Sequence, residues 1–227
     1  MNYAFVVLAA IFLGIFCRFR DDNGSAKALL FKTCTSVLFV LVAVFSITEQ
    51  SVFFALTVSG LLFGLIGDIM LDLKFVDKAN AVLYTFAGMC AFAIGHLFYI
   101  GAVIFFFDLE FIDVLISALA AIVGAVAVII TTLKVMKYNY EKYLSAAAVY
   151  SFLLIFFTAL TICALIKGES LESAWLLSIG SVCFLVSDVV LSMMYFGGKK
   201  GKSYIVINHV LYYAAQFLIA FAVSAIG

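Results

Sequence analysis

Two aspartates carry the clearest chemical signal in this chain. Asp68 lies in GLLFGLIGDIML and Asp188 in GSVCFLVSDVVL. Both runs are long and apolar enough to cross a bilayer, and an ionisable group at membrane depth is costly enough to mark a functional site. The two positions are 120 residues apart, at matching places in the two halves of the chain, so they point to one site built from two related halves. Paired carboxyls kept from water can divide acid and base work between them: one holds a proton while the other stays ionised. The structural alternative is that each aspartate only bonds a neighbouring helix, a task that asparagine performs at lower cost.

Other polar groups fall in two further apolar runs. One carries Tyr84, His96 and Tyr99. The last carries Asn208, His209, Tyr212, Tyr213 and Gln216. Positions 209, 212, 213 and 216 follow the i, i+3, i+4, i+7 pattern of one helix face, and a polar stripe on an apolar helix faces the bundle interior. His96 reads equally as a core histidine bridging helices or as part of the site. His209, nearer a helix end, reads as an interfacial histidine. Tyr212 and Tyr213 lie too deep for an interfacial belt alone. Lys32 opens another run; it reads either as an anchor snorkelling to the headgroups or as a partner for a lipid phosphate.

These residues need elements to hold them, and the composition leaves one class. The chain is 67% hydrophobic and 11% charged, with mean hydropathy +1.26. A soluble monomer of 227 residues would expose apolar patches far beyond the tolerated size. The expected fold is an all-α integral membrane protein, a single transmembrane domain over residues 1–227. Eight apolar runs approach the length of about 20 residues that a crossing needs: 3–19, 28–47, 52–73, 81–106, 111–132, 143–165, 174–196 and 204–226. Their length and continuity favour helices over barrel strands. Short linkers predict antiparallel sequential neighbours in one eight-helix bundle. The first run lacks a preceding positive residue and a small-residue cleavage site, so it reads as a retained helix.

Charge sets the orientation. Twelve of the thirteen Lys and Arg fall in or beside the odd-numbered loops, among them Arg18, Arg20, Lys74, Lys78, Lys134, Lys199 and Lys200; only Lys167 lies in an even one. The even loops carry Glu49, Asp108, Glu110, Asp113, Glu169 and Glu172. The positive-inside rule therefore places the odd loops in the cytoplasm and both termini outside, in what the size of the chain suggests is a bacterial plasma membrane. A shift of 120 residues also aligns Gly60 with Gly180, Leu65 with Leu185, Leu71 with Leu191, Tyr84 with Tyr204 and His96 with Gln216. A four-helix shift preserves orientation, so the expectation is two parallel four-helix repeats. Asp68 and Asp188 count in this reading as the two acidic residues deep in spans, both in the cytoplasmic half.

Several chemistries find no support. No basic face suggests nucleic acid. Cys17, Cys34, Cys90, Cys163 and Cys183 form no paired or metal-binding pattern and read as packing residues. No GxSxG, HExxH, Walker or GxGxxG motif is present, and the expectation is no metal and no cofactor. GLIGD is GxxGD, not the GxGD of intramembrane aspartyl proteases.

The ordered combination of short elements resembles the lysoplasmalogenase, or YhhN-like, membrane proteins over nearly the whole chain. The elements are GDIML around Asp68, AFAIGHLFYI around His96, FLVSDVVLSMMYF around Asp188 and LYYAAQFLIA around Gln216. LLFKTCTSVLF resembles that family's Lys-Pro start of helix 2, with Thr33 in place of the proline, and AVYSFLL around Tyr150 resembles its helix 6 element. The resemblance implies an eight-helix bundle that hydrolyses the vinyl ether bond of lysoplasmalogens to a fatty aldehyde and glycerophosphoethanolamine or glycerophosphocholine.

The residues suit that reaction. A vinyl ether is cleaved by protonating an alkene carbon, which leaves an oxocarbenium ion that water attacks. Paired carboxylates serve glycosidases facing a similar cation. Asp68 and Asp188 are the expected catalytic pair, with the acid unassigned. Lys32, Tyr84, His96, Tyr150, Tyr212, Tyr213 and Gln216 are the expected supporting residues, and the partners are a lysophospholipid and the bilayer. The lipid chain would enter laterally from the inner leaflet. Three alternatives use the same carboxylates: a different lipid ether or ester hydrolase, a small proton- or cation-coupled transporter, and a lipid-binding membrane protein.

Overall fold

Apolar runs in lipid must satisfy their own backbone hydrogen bonds, and an uninterrupted run does so as a helix. The computed structural model describes residues 2–20, 25–47, 51–168 and 171–225. Among them are eight α-helices: α1 (Asn2–Phe19), α2 (Ala26–Phe45), α3 (Val52–Val76), α4 (Ala81–Phe106), α5 (Phe111–Lys134), α6 (Leu144–Lys167), α7 (Leu171–Tyr195) and α8 (Lys202–Ala222). The helix bounds lie within a few residues of the expected apolar runs. Seven helices, α2 to α8, are long and apolar enough to cross a membrane, which makes this a multi-pass membrane protein; α1 is shorter. Glu49 and Glu169 of the even loops lie outside the described residues.

Local chemistry sets the helix ends. Ser25 Oγ accepts from the Ala28 N–H at 3.0 Å and caps α2. Ser51 Oγ does the same for α3 through Phe54 at 3.2 Å. Glu110 and Asp113 form a reciprocal capping box at the start of α5. Gly168 ends α6 at φ 76°, the left-handed conformation that favours glycine.

The helices pair in a closed ring. α2 packs on α3, α3 on α4, α4 on α6, α6 on α7, α7 on α8, and α8 returns to α2. α1 lies outside against α2 and α8, and α5 outside against α6. Moving four helices along the chain carries α1–α2 onto α5–α6, α2–α3 onto α6–α7, α3–α4 onto α7–α8, and α4–α6 onto α8–α2. The α1–α8 and α3–α8 contacts break this pattern. α5 presents Ile112, Ile116, Leu119, Val123, Val126 and Ile130 outward, a belt suited to acyl chains and unsuited to water.

Packing in lipid rests on close approach, because tails are as apolar as leucine. Gly60, Gly64 and Gly67 lie on one face of α3. A Cβ added at Gly60 would fall 2.3 Å from Tyr99, at Gly64 2.6 Å from Gln216 Nε2, and at Gly67 2.6 Å from Phe92. On α4, a Cβ at Gly95 would lie 3.1 Å from the Gly60 carbonyl. These glycines bring α3 against α4 and α8, so a carboxylate on α3 reaches groups on both neighbours.

Candidate active site

Asp68 sits in the middle of a buried polar network. It is 2% exposed on α3, Lys32 on α2 is 4% exposed, and Asp72, one turn beyond Asp68, is 5% exposed. Lys32 Nζ lies 3.2 Å from Asp68 Oδ1 and 3.7 Å from Asp72 Oδ1. Arg20, just past the end of α1, is buried with its Nε 3.7 Å from Asp72 Oδ1 and its guanidinium over the Phe75 ring. Two cations and two carboxylates thus compensate each other out of water, the condition under which buried charge is tolerated.

Hydroxyls complete the first aspartate. Ser36 on α2 donates to Asp68 Oδ2 at 2.6 Å, and Tyr212 on α8 donates to the same oxygen at 2.7 Å. The chain continues outward: Gln216 Nε2 donates to the Tyr212 hydroxyl at 3.0 Å, and Tyr99 on α4 donates to Gln216 Oε1 at 2.9 Å. Tyr213 donates to the Lys32 carbonyl at 3.1 Å, and its hydroxyl lies 3.0 Å from Ser36 Oγ.

Asp188 has different company. On α7 it is half-buried, it accepts a short hydrogen bond from the Tyr150 hydroxyl on α6, and Ser187 Oγ lies 3.5 Å from its Oδ1. No cation lies within ion-pairing distance of it among the described residues. Asn208 on α8 donates to the Ser187 carbonyl at 2.7 Å and so fixes the adjacent turn of α7. The two halves of the ring therefore supply unlike partners. α2 gives Asp68 a lysine and a serine, whereas α6, its counterpart, gives Asp188 a tyrosine.

Both aspartates line one cavity of about 140 Å³, with Lys32, Asp72, Tyr150 and Tyr212. Its wall runs to Tyr140 and Phe196, in the loops after α5 and α7. It also includes Val128 on α5 and Val189 on α7, whose side chains are exposed on the outside of the bundle. Aspartates, an ammonium and phenols thus meet in one apolar-walled space that reaches both an end and a side of the bundle.

The expected supporting residues fall into three groups. Lys32, Tyr150 and Tyr212 line the cavity, and Tyr213 and Gln216 stand one hydrogen bond behind it. His96 is 1% exposed behind the cavity wall, its Nδ1 2.8 Å from the Phe92 carbonyl, its Nε2 without a partner, and its ring against Tyr150 and Phe184. Tyr84 is elsewhere: its hydroxyl donates to Asp77 at 3.2 Å, beside the short turn between α3 and α4. The hydrogen bond from Asn80 holds the Asp77 carboxyl below the usual carboxylate range.

Three readings need correction. Lys32 is not an anchor snorkelling to the headgroups: it is buried on the cavity wall and paired with Asp68 and Asp72. His209 is not interfacial: it is 7% exposed, lines the cavity and packs on Phe16. Asp72 is a further buried acid, beside Asp68. Its i, i+4 spacing from Asp68 was the available signal, masked by its nearness to the loop. Ser36 gave no signal, since serines in apolar helices commonly bond their own backbone, as this one also does to the Lys32 carbonyl at 3.0 Å.

No curated protein and no solved structure is a match to this chain. A family model matches residues 27–223, nearly all of α2 and the whole of α3 to α8, and the chain belongs to the YhhN family.

Proposed function

We propose that this protein hydrolyses the vinyl ether bond of lysoplasmalogens, with Asp188 as the acid and Asp68 as the carboxylate. The observation that carries the reading is the unlike company of two aspartates on one cavity: Asp68 with an ammonium 3.2 Å away, Asp188 with hydroxyls only. Membership of the YhhN family supports it.

In this reading Asp188 holds a proton and delivers it to the alkene carbon remote from oxygen. The electron pair of the double bond forms the new C–H bond, and the adjacent carbon becomes an oxocarbenium ion. Asp68 stabilises that cation electrostatically and accepts a proton from the water that attacks it. As the hemiacetal collapses, Asp68 returns its proton to the departing glycerol oxygen, the hemiacetal hydroxyl passes its proton to Asp188, and a fatty aldehyde is left with both groups restored. Tyr150 orients the acid, and Tyr212 and Ser36 orient the carboxylate. The hydrocarbon chain lies along the apolar wall and leaves the bundle past Val128 and Val189.

The same reading takes α1 as an eighth crossing, both termini as external, and the odd loops as cytoplasmic in a bacterial plasma membrane. A relay for ions calls for polar groups toward both faces, whereas the loop residues on the cavity wall, Arg20, Tyr140 and Phe196, all belong to odd-numbered loops.

The test is release of fatty aldehyde from lysoplasmenylethanolamine by purified protein in detergent, beside Asp68→Asn and Asp188→Asn. Aldehyde from the wild type and none from either folded variant is expected. A wild type that is folded and silent on this substrate would overturn the reaction; activity that survives both substitutions would overturn the mechanism.

A further inference from the structure

Beside the carboxylate cavity lies a second, more polar recess of about 550 Å³. Its wall carries four cations, Arg20, Lys74, Lys199 and Lys200, against one acid, Glu141. The two spaces adjoin: Arg20, Tyr140, Met194, Tyr195 and Phe196 belong to both walls. Lys74 has no carboxylate within ion-pairing distance among the described residues; its ammonium sits over the Tyr195 ring at 3.2 Å. The loop that forms one side is held in place rather than draped: Asn139 N–H donates to the Phe196 carbonyl at 3.0 Å, and Glu141 is kept at φ 46°, a left-handed conformation costly for a side-chain-bearing residue.

We infer that this recess is the headgroup subsite, where Lys74, Lys199 and Lys200 receive the phosphodiester of the lysolipid. The spacing suits the molecule. Lys74 follows Asp68 by six residues, about 9 Å along the helix at 1.5 Å per residue, and only the glycerol carbons separate a lysolipid's ether oxygen from its phosphate. With Lys32 held by two carboxylates and Arg20 paired with Asp72, Lys74, Lys199 and Lys200 are the cations of this wall that meet no carboxylate among the described residues. An excess of cations around a recess raises the local concentration of anionic ligands and orients them. The subsite thus fixes which end of the lipid points outward and sets the ether bond at the two aspartates.

The inference rests on the hydrolase reading for its substrate, so the test uses lipids that the proposed reaction cannot cleave. Binding to the purified protein in detergent is measured for a saturated 1-O-alkyl lysophosphatidylcholine and for the 1-O-alkyl glycerol of equal chain length. The wild type is expected to prefer the phosphodiester by at least about tenfold, as charge-assisted hydrogen bonds predict. Lys74→Met and the double variant Lys199→Ser/Lys200→Ser each reduce that preference, and the triple variant abolishes it. Lys78→Ser, which removes an exposed loop lysine outside the recess, retains it. Lys199 and Lys200 are exposed loop residues, so their variants read the site without disturbing the bundle. Equal binding of both lipids by the wild type, a preference that survives the triple variant, or displacement by inorganic phosphate alone as effective as by the lysolipid would overturn the inference. Preference without aldehyde release would leave this subsite standing and remove the reaction; aldehyde release without preference would do the reverse.

Discussion

Lys32 Nζ and Asp68 Oδ1 lie 3.2 Å apart with both side chains at least 95% shielded from the surroundings. A pair this buried costs desolvation on both sides, and its net contribution to stability is small; removing one partner alone exposes the whole cost of the other. Lys32→Met is therefore expected to destabilise the bundle by about 3–5 kcal/mol, read as a lower melting temperature in detergent. Lys32→Met/Asp68→Asn removes both charges and recovers most of that stability while staying inactive. A single variant that melts with the wild type would show that Asp68 does not depend on Lys32 for its charge.

Tyr150 tests the other aspartate. Its hydroxyl donates to Asp188, and its ring packs 5.4 Å from the His96 ring, so Tyr150→Phe keeps the packing and removes only the donor. The expected result is a kcat lower by about 100-fold, the lower end of acid–base contributions, with KM unchanged. Equal losses in kcat and in melting temperature would instead mark a structural role.

His96 separates stability from turnover in the opposite sense. Its Nε2 is buried without a partner, a state that costs about 1–3 kcal/mol. His96→Leu removes that orphan along with the Nδ1 contact to the Phe92 carbonyl, and the two effects offset each other. The melting temperature is expected to stay within a few degrees of the wild type. Turnover is expected to fall, because the ring that backs Tyr150 is lost. Unchanged turnover would make His96 a core histidine only.

How much of this was legible depends on where each charge sits along its helix. Asp68 and Asp188 stand deep in apolar runs, where a charge has no bland explanation, and hydropathy alone placed the helices that carry them. Lys32, Arg20 and Asp72 stand near helix ends, where snorkelling explains any charge, so their burial was hidden. It follows from the closed ring: α8 returns to α2, and that enclosure depends on which faces meet. The stripe on α8 marks its inward face, but on α2 the lipid-exposed and buried faces are both largely apolar, so nothing in its sequence announces the partner. Tyr84 was misplaced for a related reason. Its alignment with Tyr204 described the sequence repeat, while the hydroxyl was satisfied locally by Asp77.

Gly64 gives the most stringent test of the geometry, because it has no chemistry of its own. A methyl group there would sit 2.6 Å from Gln216 Nε2 and 3.7 Å from the Tyr212 hydroxyl. The Gln216 amide has to move, and through it the phenol that donates to Asp68 Oδ2 at 2.7 Å. Gly64→Ala also gains helix propensity of about 1 kcal/mol, so its effect on the melting temperature is expected to be small. Its effect on kcat is expected to be large, on the order of the 100-fold that a displacement of about 1 Å can cause. Gly101→Ala serves as the comparison: on α4 an added Cβ meets only Leu56, at an ordinary 3.6 Å. Wild-type turnover in Gly64→Ala would mean that the Gln216–Tyr212–Asp68 chain can shift without consequence, and that the carboxylate is not held by it.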